Sequence, residues 1–371
     1  MAPQGRPRGR GFMNTEALAY DLPPELIATR PVEPRDRARL LLIHCQRGVF
    51  EHASIFDLPD LLQPSDLLIR NDTAVLAARL IGTRTISGDR GGGQVEGLFL
   101  EADPDGTWTV VLTASGRLSE GEVIDLAGPD GRHASLRLLE KRGRYWRAMP
   151  DPAGNASELL DSLGRAPLPP YILKARRSRG ELIDEASDRQ WYRTLFARSD
   201  RVGSVAAPTA GLHLTDELLG RIDQRGVQQA AVTLHVGEGT FRPVTTSRLE
   251  DHRMHAESWL VEPDALAAIR SGPGSGGRLV AVGTTTTRLL ESLPDYLPEG
   301  PLCGSTDLLI APGYTFRRVE GLLTNFHLPR STLLALVAAM TGLDLMHEAY
   351  RVAVAERYRF YSYGDAMLVL P

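Results

Sequence analysis

The chain has 371 residues, 42% hydrophobic and 24% charged, with a formal net charge of −4, which suits about two packed domains and excludes a disordered or collagen-like chain. Because the balance is slightly acidic, any contact with nucleic acid must use local basic patches. Two cysteines, Cys45 and Cys303, are too few for a thiolate zinc centre or a disulfide framework and fit a reducing cytoplasm; no apolar run approaches the roughly 20 residues of a membrane span.

Residues 1–13, "MAPQGRPRGRGFM", carry three arginines and no acid. They lack the apolar segment of a signal peptide and read as a disordered lead-in. A short helix is expected over 24–29 and a strand over 40–44, separated by Pro31 and Pro34. Asp57 and Pro59 suit a short helix start, and Leu67 to Ile69 a strand. From 66 to 155 the character changes. "VEGLFL", "TWTVVLT", "EVIDLAG", "ASLRLLEKR" and "RYWRAMP" alternate between Gly/Asp turns, as in a small antiparallel barrel.

Beyond 156, helices and apolar strands alternate. Thr215 caps a helix whose first turn holds Asp216 and Glu217. Strands are expected in "QQAAVTLHVG", "RLVAVG", "TDLLIAPG", "LLTNFHLP" and "AMLVL", with helices in "PDALAAIRSG", "TTTTRLLESL", 331–340 and 344–358. The reading is an α/β fold: a larger domain with a mixed sheet, over 14–65 and 156–371, with a barrel inserted at 66–155.

Several loops carry chemistry. "GSVAAPTAGLHLT" ends a strand at Pro208 and then offers Thr209, Gly211 and His213. "LHVGEGTF" sets Glu238 between Gly237 and Gly239, just after His235. "EDHRMHAE" gathers Asp251, His252, His255 and Glu257. Histidines and carboxylates on loops fit acid/base work; the same groups occur as satisfied surface residues. The H-x-x-H spacing is not the helical metal motif, so no metal is expected. Thr284 and Thr285 open a helix after a Gly-ended strand, where free N–H groups bind anions or simply cap the helix. Thr324, Asn325 and His327 form a polar cluster beside apolar walls. Lys174, Arg176, Arg177 and Arg179 form a basic run, read either as a solvated loop or as a phosphate-contacting arm.

The runs "RNDTAVLAARL", "PLPPYI", "GSVAAPTAGLHLT", "VTLHVGEGTFRPV", "DHRMHAE", "AVGTTTTR", "LLTNFHLPRSTLLALV" and "YRFYSYGDAMLVL" closely resemble the S-adenosylmethionine:tRNA ribosyltransferase-isomerases of queuosine biosynthesis, in order over nearly the whole chain. The resemblance implies that the ribosyl group of S-adenosylmethionine moves to 7-aminomethyl-7-deazaguanine at the tRNA wobble position and rearranges, giving epoxyqueuosine, adenine and methionine. It implies a cytoplasmic enzyme needing no cofactor beyond that donor substrate and recognising the tRNA anticodon loop. Under it, His213, Glu238, His255 and His327 are the expected acid/base groups. Thr209, Gly211, Gly237, Gly239, Thr284, Thr285 and Asn325 are expected at the donor, and the four basic residues at 174–179 on the tRNA. The chain departs from the family pattern at Leu214, where Phe is common, and at "TASGRL", where Arg-Pro-Ser is common. Two rival readings are a metal-assisted hydrolase using His252 and His255, and an RNA-binding protein without activity.

Overall fold

The computed structural model describes residues 13–85, 92–182, 184–241 and 244–371, without the side chains of 240 and 241. The lead-in expected over 1–13 therefore lies, but for Met13, outside the described residues. The chain divides into two units.

Among the described residues, the first unit comprises 13–71, 209–234 and 239–371. Its centre is a nine-stranded mixed sheet. In spatial order the strands are Leu302–Thr306, Glu257–Val261, Gln228–Leu234, Leu67–Asn71, Leu279–Val282, Gly321–Asn325, Ala366–Leu370, Arg39–His44 and Val49–Ser54. Gln228–Leu234, Leu67–Asn71, Leu279–Val282 and Gly321–Asn325 run parallel to one another. The apolar runs Leu67-Leu68-Ile69 and Leu279–Val282 follow from burial on both faces; Leu67, Leu68, Ile69 and Val280 are all fully buried. Asn71 clamps the ends of two of these strands, accepting from the Leu234 N–H and donating to its carbonyl.

Helix termini follow their sequence signals. The Thr215 hydroxyl accepts from Leu218 N–H at the start of Asp216–Gln224. Pro263–Ser271 starts on its proline and is capped by Gly272 at φ 69°. The apolar run after Pro329 forms two helices, Thr332–Thr341 and Leu343–Ala355, bent by 113° at Gly342. No single helix among the described residues is long and apolar enough to cross a membrane.

Two expectations fail here. The helix at 24–29 is only a 3₁₀ turn, Pro24–Leu26. The strand expected at 306–313 ends at Thr306. Beyond it, side chains take the backbone groups that a ladder would use: the Leu308 N–H donates to Thr306 Oγ1 and its carbonyl accepts from Arg288 Nε.

The second unit comprises 72–208 and 235–238. Six antiparallel strands close a barrel in the order Tyr145–Asp151, Trp108–Ala114, Gln94–Ala102, Arg79–Arg84, Val123–Ala127, His133–Arg142. Phe99, Trp108, Val110, Ile124, Leu136 and Trp146 fill it. Arg79–Arg84 escapes the sequence reading because charged residues and Gly82 break its alternation. The unit boundaries also differ from the expected 66–155. Leu67–Asn71 is central to the large sheet. Ala156–Leu163 belongs with the barrel because Leu160 enters the barrel core and Ala156 and Leu159 pack on it. The segment read either as a solvated loop or as a phosphate-contacting arm holds two helices, Pro170–Arg179 and Glu185–Trp191.

Candidate functional site

In the α/β unit, three loops meet beyond the carboxyl ends of parallel strands, the usual ligand position in such sheets. They are the 3₁₀ turn Thr209–His213, the start of helix Thr284–Ser292, and Asn325 to His327. Gly283 has φ 94°, a conformation that favours glycine, and a Cβ there would lie 3.6 Å from Ala210 Cβ. No side chain caps the helix that follows. Thr286 and Thr287 spend their hydroxyls on the carbonyls of Val282 and Gly283. The hydroxyls of Thr284 and Thr285 have no protein partner among the described residues, although both side chains are buried. Uncapped N–H groups with two spare hydroxyls can hold a carboxylate or phosphate.

His213 is 4% exposed and its Nε2 lies 3.0 Å from Asn325 Nδ2. Burial, reinforced by Arg359 and Arg35, lowers its pKa to about 4. The neutral ring accepts the amide hydrogen at Nε2, which places its own hydrogen on Nδ1. Among the described residues Asn325 Oδ1, which is buried, has no hydrogen-bond partner, so this acceptor is available to a ligand. His327, 7% exposed, pairs its Nε2 with Thr324 Oγ1 at 2.8 Å, and burial lowers its pKa to about 3. Its backbone is also fixed: the N–H donates to the Tyr350 hydroxyl and the carbonyl accepts from Tyr20. At neutral pH both rings are uncharged, so they serve as hydrogen-bonding groups rather than as stored acids.

This burial has a measurable consequence. In the unfolded chain both histidines titrate near pH 6.5. Their folded pKa values are depressed, so the unfolded state takes up protons first as pH falls. Stability is expected to drop between pH 6.5 and about 4, by about 1.4 kcal/mol per pH unit for each ring. Urea melts at pH 6.5, 5.5 and 4.5 measure it. His213→Gln and His327→Gln should each flatten the slope, and an unchanged slope would contradict the assignment.

Gly239 and His255 are in contact: a Cβ on Gly239 would sit 2.6 Å from His255 Cδ2. His255 is exposed and His252 half-buried. Glu257, from the same motif, is a structural group. It is buried and binds Arg288 Nη1 at 2.5 Å. Among the described residues no group of three His, Cys, Asp or Glu side chains could hold a metal ion, so His252 and His255 find no third ligand there.

In the barrel unit, Glu238 is 12% exposed in its side chain and forms an ion pair with Arg144. It also accepts from the Tyr145 hydroxyl at 3.1 Å. Gly237 precedes it in the same short segment, 235–238. His235, absent from the expected site, is held by Thr73 Oγ1 at 2.9 Å. Its ring lies against Gly203, where a Cβ would approach to 2.9 Å. Burial and Arg201 lower its pKa, partly offset by Asp72. The only sequence signal for this contact is the glycine opening "GSVAAP".

The basic run at 174–179 needs a correction. Arg176 is 3% exposed and forms a two-pronged ion pair with Asp188, both bonds 2.6 Å. It ties the two helices together and is withdrawn from any RNA surface. Lys174 and Arg177 are exposed; Arg177 lies 3.5 Å from Glu96, and Arg179 lies 3.8 Å from Glu181.

A family model described as "Queuosine biosynthesis protein" matches residues 15–369. The chain is 44% identical over 366 residues to the S-adenosylmethionine:tRNA ribosyltransferase-isomerase of Azorhizobium caulinodans, covering 96% of this chain and 99% of that protein. It is 48% identical over 361 residues to the enzyme of the same name from Anaeromyxobacter sp., with coverage of 96% and 99%. The crystal structure of S-adenosylmethionine tRNA ribosyltransferase from Thermotoga maritima aligns with a TM-score of 0.52 at 33% identity, over 95% of this chain and 100% of that one.

Proposed function

The chain belongs to the S-adenosylmethionine:tRNA ribosyltransferase-isomerase family of queuosine biosynthesis, and from that membership we propose the reaction and the roles of its residues. The enzyme transfers the ribosyl group of S-adenosylmethionine to the aminomethyl group of 7-aminomethyl-7-deazaguanine at the wobble position of tRNA. The sugar isomerises to an epoxycyclopentanediol, and adenine and methionine leave. The observation that carries this reading is 48% identity over nearly the full length of both chains. The work takes place in the cytoplasm, on the anticodon loop.

The chemistry makes three demands. The sulfonium acidifies the adjacent C5′ protons, so a base removes one. Adenine leaves readily only when protonated, so an acid serves it. The attacking amine must be neutral. Glu238 is the group best suited to proton transfer, a carboxylate held by Arg144 and Tyr145. His255, exposed beside Gly239, is the imidazole of the set that solvent and substrate can reach. His213 and His327 are neutral, and with Asn325 they supply fixed hydrogen-bonding groups. Thr284 and Thr285, at an uncapped helix start, suit the methionyl carboxylate of the donor. Thr209 and Gly211 line the neighbouring turn.

Product analysis tests this reading. Incubation with S-adenosylmethionine and precursor-bearing tRNA should release adenine and methionine. Release of S-adenosylhomocysteine would indicate methyl transfer and defeat the proposal. The metal-assisted hydrolase and the inactive RNA binder have no observation in their favour.

A further inference from the structure

The hairpin 140–147 of the barrel concentrates positive charge, of which the reaction scheme has used only Arg144. Within eight residues it carries Lys141, Arg142, Arg144 and Arg147 against a single acid, Glu140. Arg147 is occupied by Asp103 and Asp105. Lys141 and Arg142 face solvent: the Arg142 side chain is 62% exposed, and its pairing with the partly exposed Glu140 is worth little. Glu120 accepts from the backbone N–H of Lys141, not from its ammonium. Two of these cations lie over aromatic rings. The Lys141 ammonium lies 5.5 Å from the ring centroid of Trp146, which is buried in the barrel core, and the Arg144 guanidinium 4.8 Å from that of the partly exposed Tyr145. Exposed cations beside one partly exposed ring, Tyr145, suit single-stranded RNA, whose phosphates they neutralise and whose bases a ring can stack on. At the same tip, Arg144 and Tyr145 both hold Glu238.

We propose that this hairpin tip is a phosphate contact for the RNA substrate, and that Arg144 is shared between that phosphate and Glu238. The assignment rests on the tRNA-modifying reading above and names a surface it did not include. A phosphate reaching Arg144 competes with the carboxylate for the guanidinium. RNA binding then loosens Glu238 from its ion pair when the substrate arrives. Arg144 is thus a positioning residue, acting through Glu238.

The test is the salt dependence of substrate-tRNA binding, followed by fluorescence anisotropy across a KCl series. The double variant Lys141→Ala/Arg142→Ala should weaken binding and reduce the slope of log K against log salt by about 1.4–1.8, two phosphate contacts' worth. Arg132→Ala, at the turn preceding strand His133–Arg142 and so at its opposite end, is the control and should leave the slope unchanged. A double variant with the control's slope overturns the proposal. Thermal melts accompany each variant; if the double variant fails to fold, Lys141→Ala alone should give about half the change. Arg144→Gln should raise KM for tRNA and also lower kcat, and a rise in KM with unchanged kcat overturns the shared role. Wild-type adenine release tests the parent reading separately. Without it that reading fails; with it and with unaltered slopes, the hairpin assignment alone fails.

Discussion

Replacing Glu238 by glutamine is expected to lower the rate of adenine release about 10²–10⁴-fold, the usual loss when a positioned general acid or base is removed. Glutamine keeps the size of the side chain and can still accept from the Tyr145 hydroxyl, now at 3.1 Å. It can neither take up a proton nor balance the charge of Arg144. Folding should be little affected, because both partners lie on the rim of the barrel hairpin and not in its core. Tyr145→Phe removes a single hydrogen bond to the carboxylate, worth about 1.5–3 kcal/mol, and should cost about 10–100-fold at most, less than Glu238→Gln. Single-turnover adenine release at saturating tRNA separates the two variants. Should Glu238→Gln stay within threefold of wild type, the carboxylate is a structural partner of Arg144 and the proton-transfer role passes elsewhere.

Arg288→Met is expected to destabilise the α/β unit by about 3–5 kcal/mol, because it leaves the Glu257 carboxylate buried without its cation. The guanidinium is satisfied on three sides. Nη1 bonds Glu257 Oε2, Nε donates to the Leu308 carbonyl, and Nη2 donates to the Thr306 carbonyl. One side chain thus holds helix Thr284–Ser292, strand Glu257–Val261 and the end of strand Leu302–Thr306. Removing the charge on both sides, as in Glu257→Leu/Arg288→Met, should recover much of the loss, since a buried pair contributes little over apolar residues of similar volume. Urea denaturation measures both variants. A cost below about 1 kcal/mol for the single variant would contradict this account of the "AVGTTTTR" and "DHRMHAE" motifs as joined by a buried ion pair.

Much of the fold is legible because its signals are local. Apolar runs such as Leu67-Leu68-Ile69 and Leu279 to Val282 mark strands buried on both faces. Alternation over Gln94–Ala102 and His133–Arg142 marks a barrel with one wet face. Thr215, Ser331, Pro263 and Gly272 mark helix ends. What escaped depends on pairs distant in sequence. Arg176 and Asp188 make two helices out of a stretch whose composition reads as loop. Leu160 carries a helix into the barrel core and moves the unit boundary. His235 needs Gly203 and Thr73, residues 32 and 162 positions away. The candidate site residues are legible only as residue types on loops, and their charge states are not. Burial makes His213 and His327 neutral groups, and no spacing announces burial.

The fate of the ribosyl carbons tests the central claim most directly. S-adenosylmethionine labelled in the ribose is incubated with the protein and precursor-bearing tRNA, and the tRNA is digested to nucleosides. The account predicts label in a wobble nucleoside that has gained the rearranged sugar, with unlabelled adenine and methionine free in solution. Label that remains with adenosine-containing products, and a tRNA that gains no sugar, would contradict it.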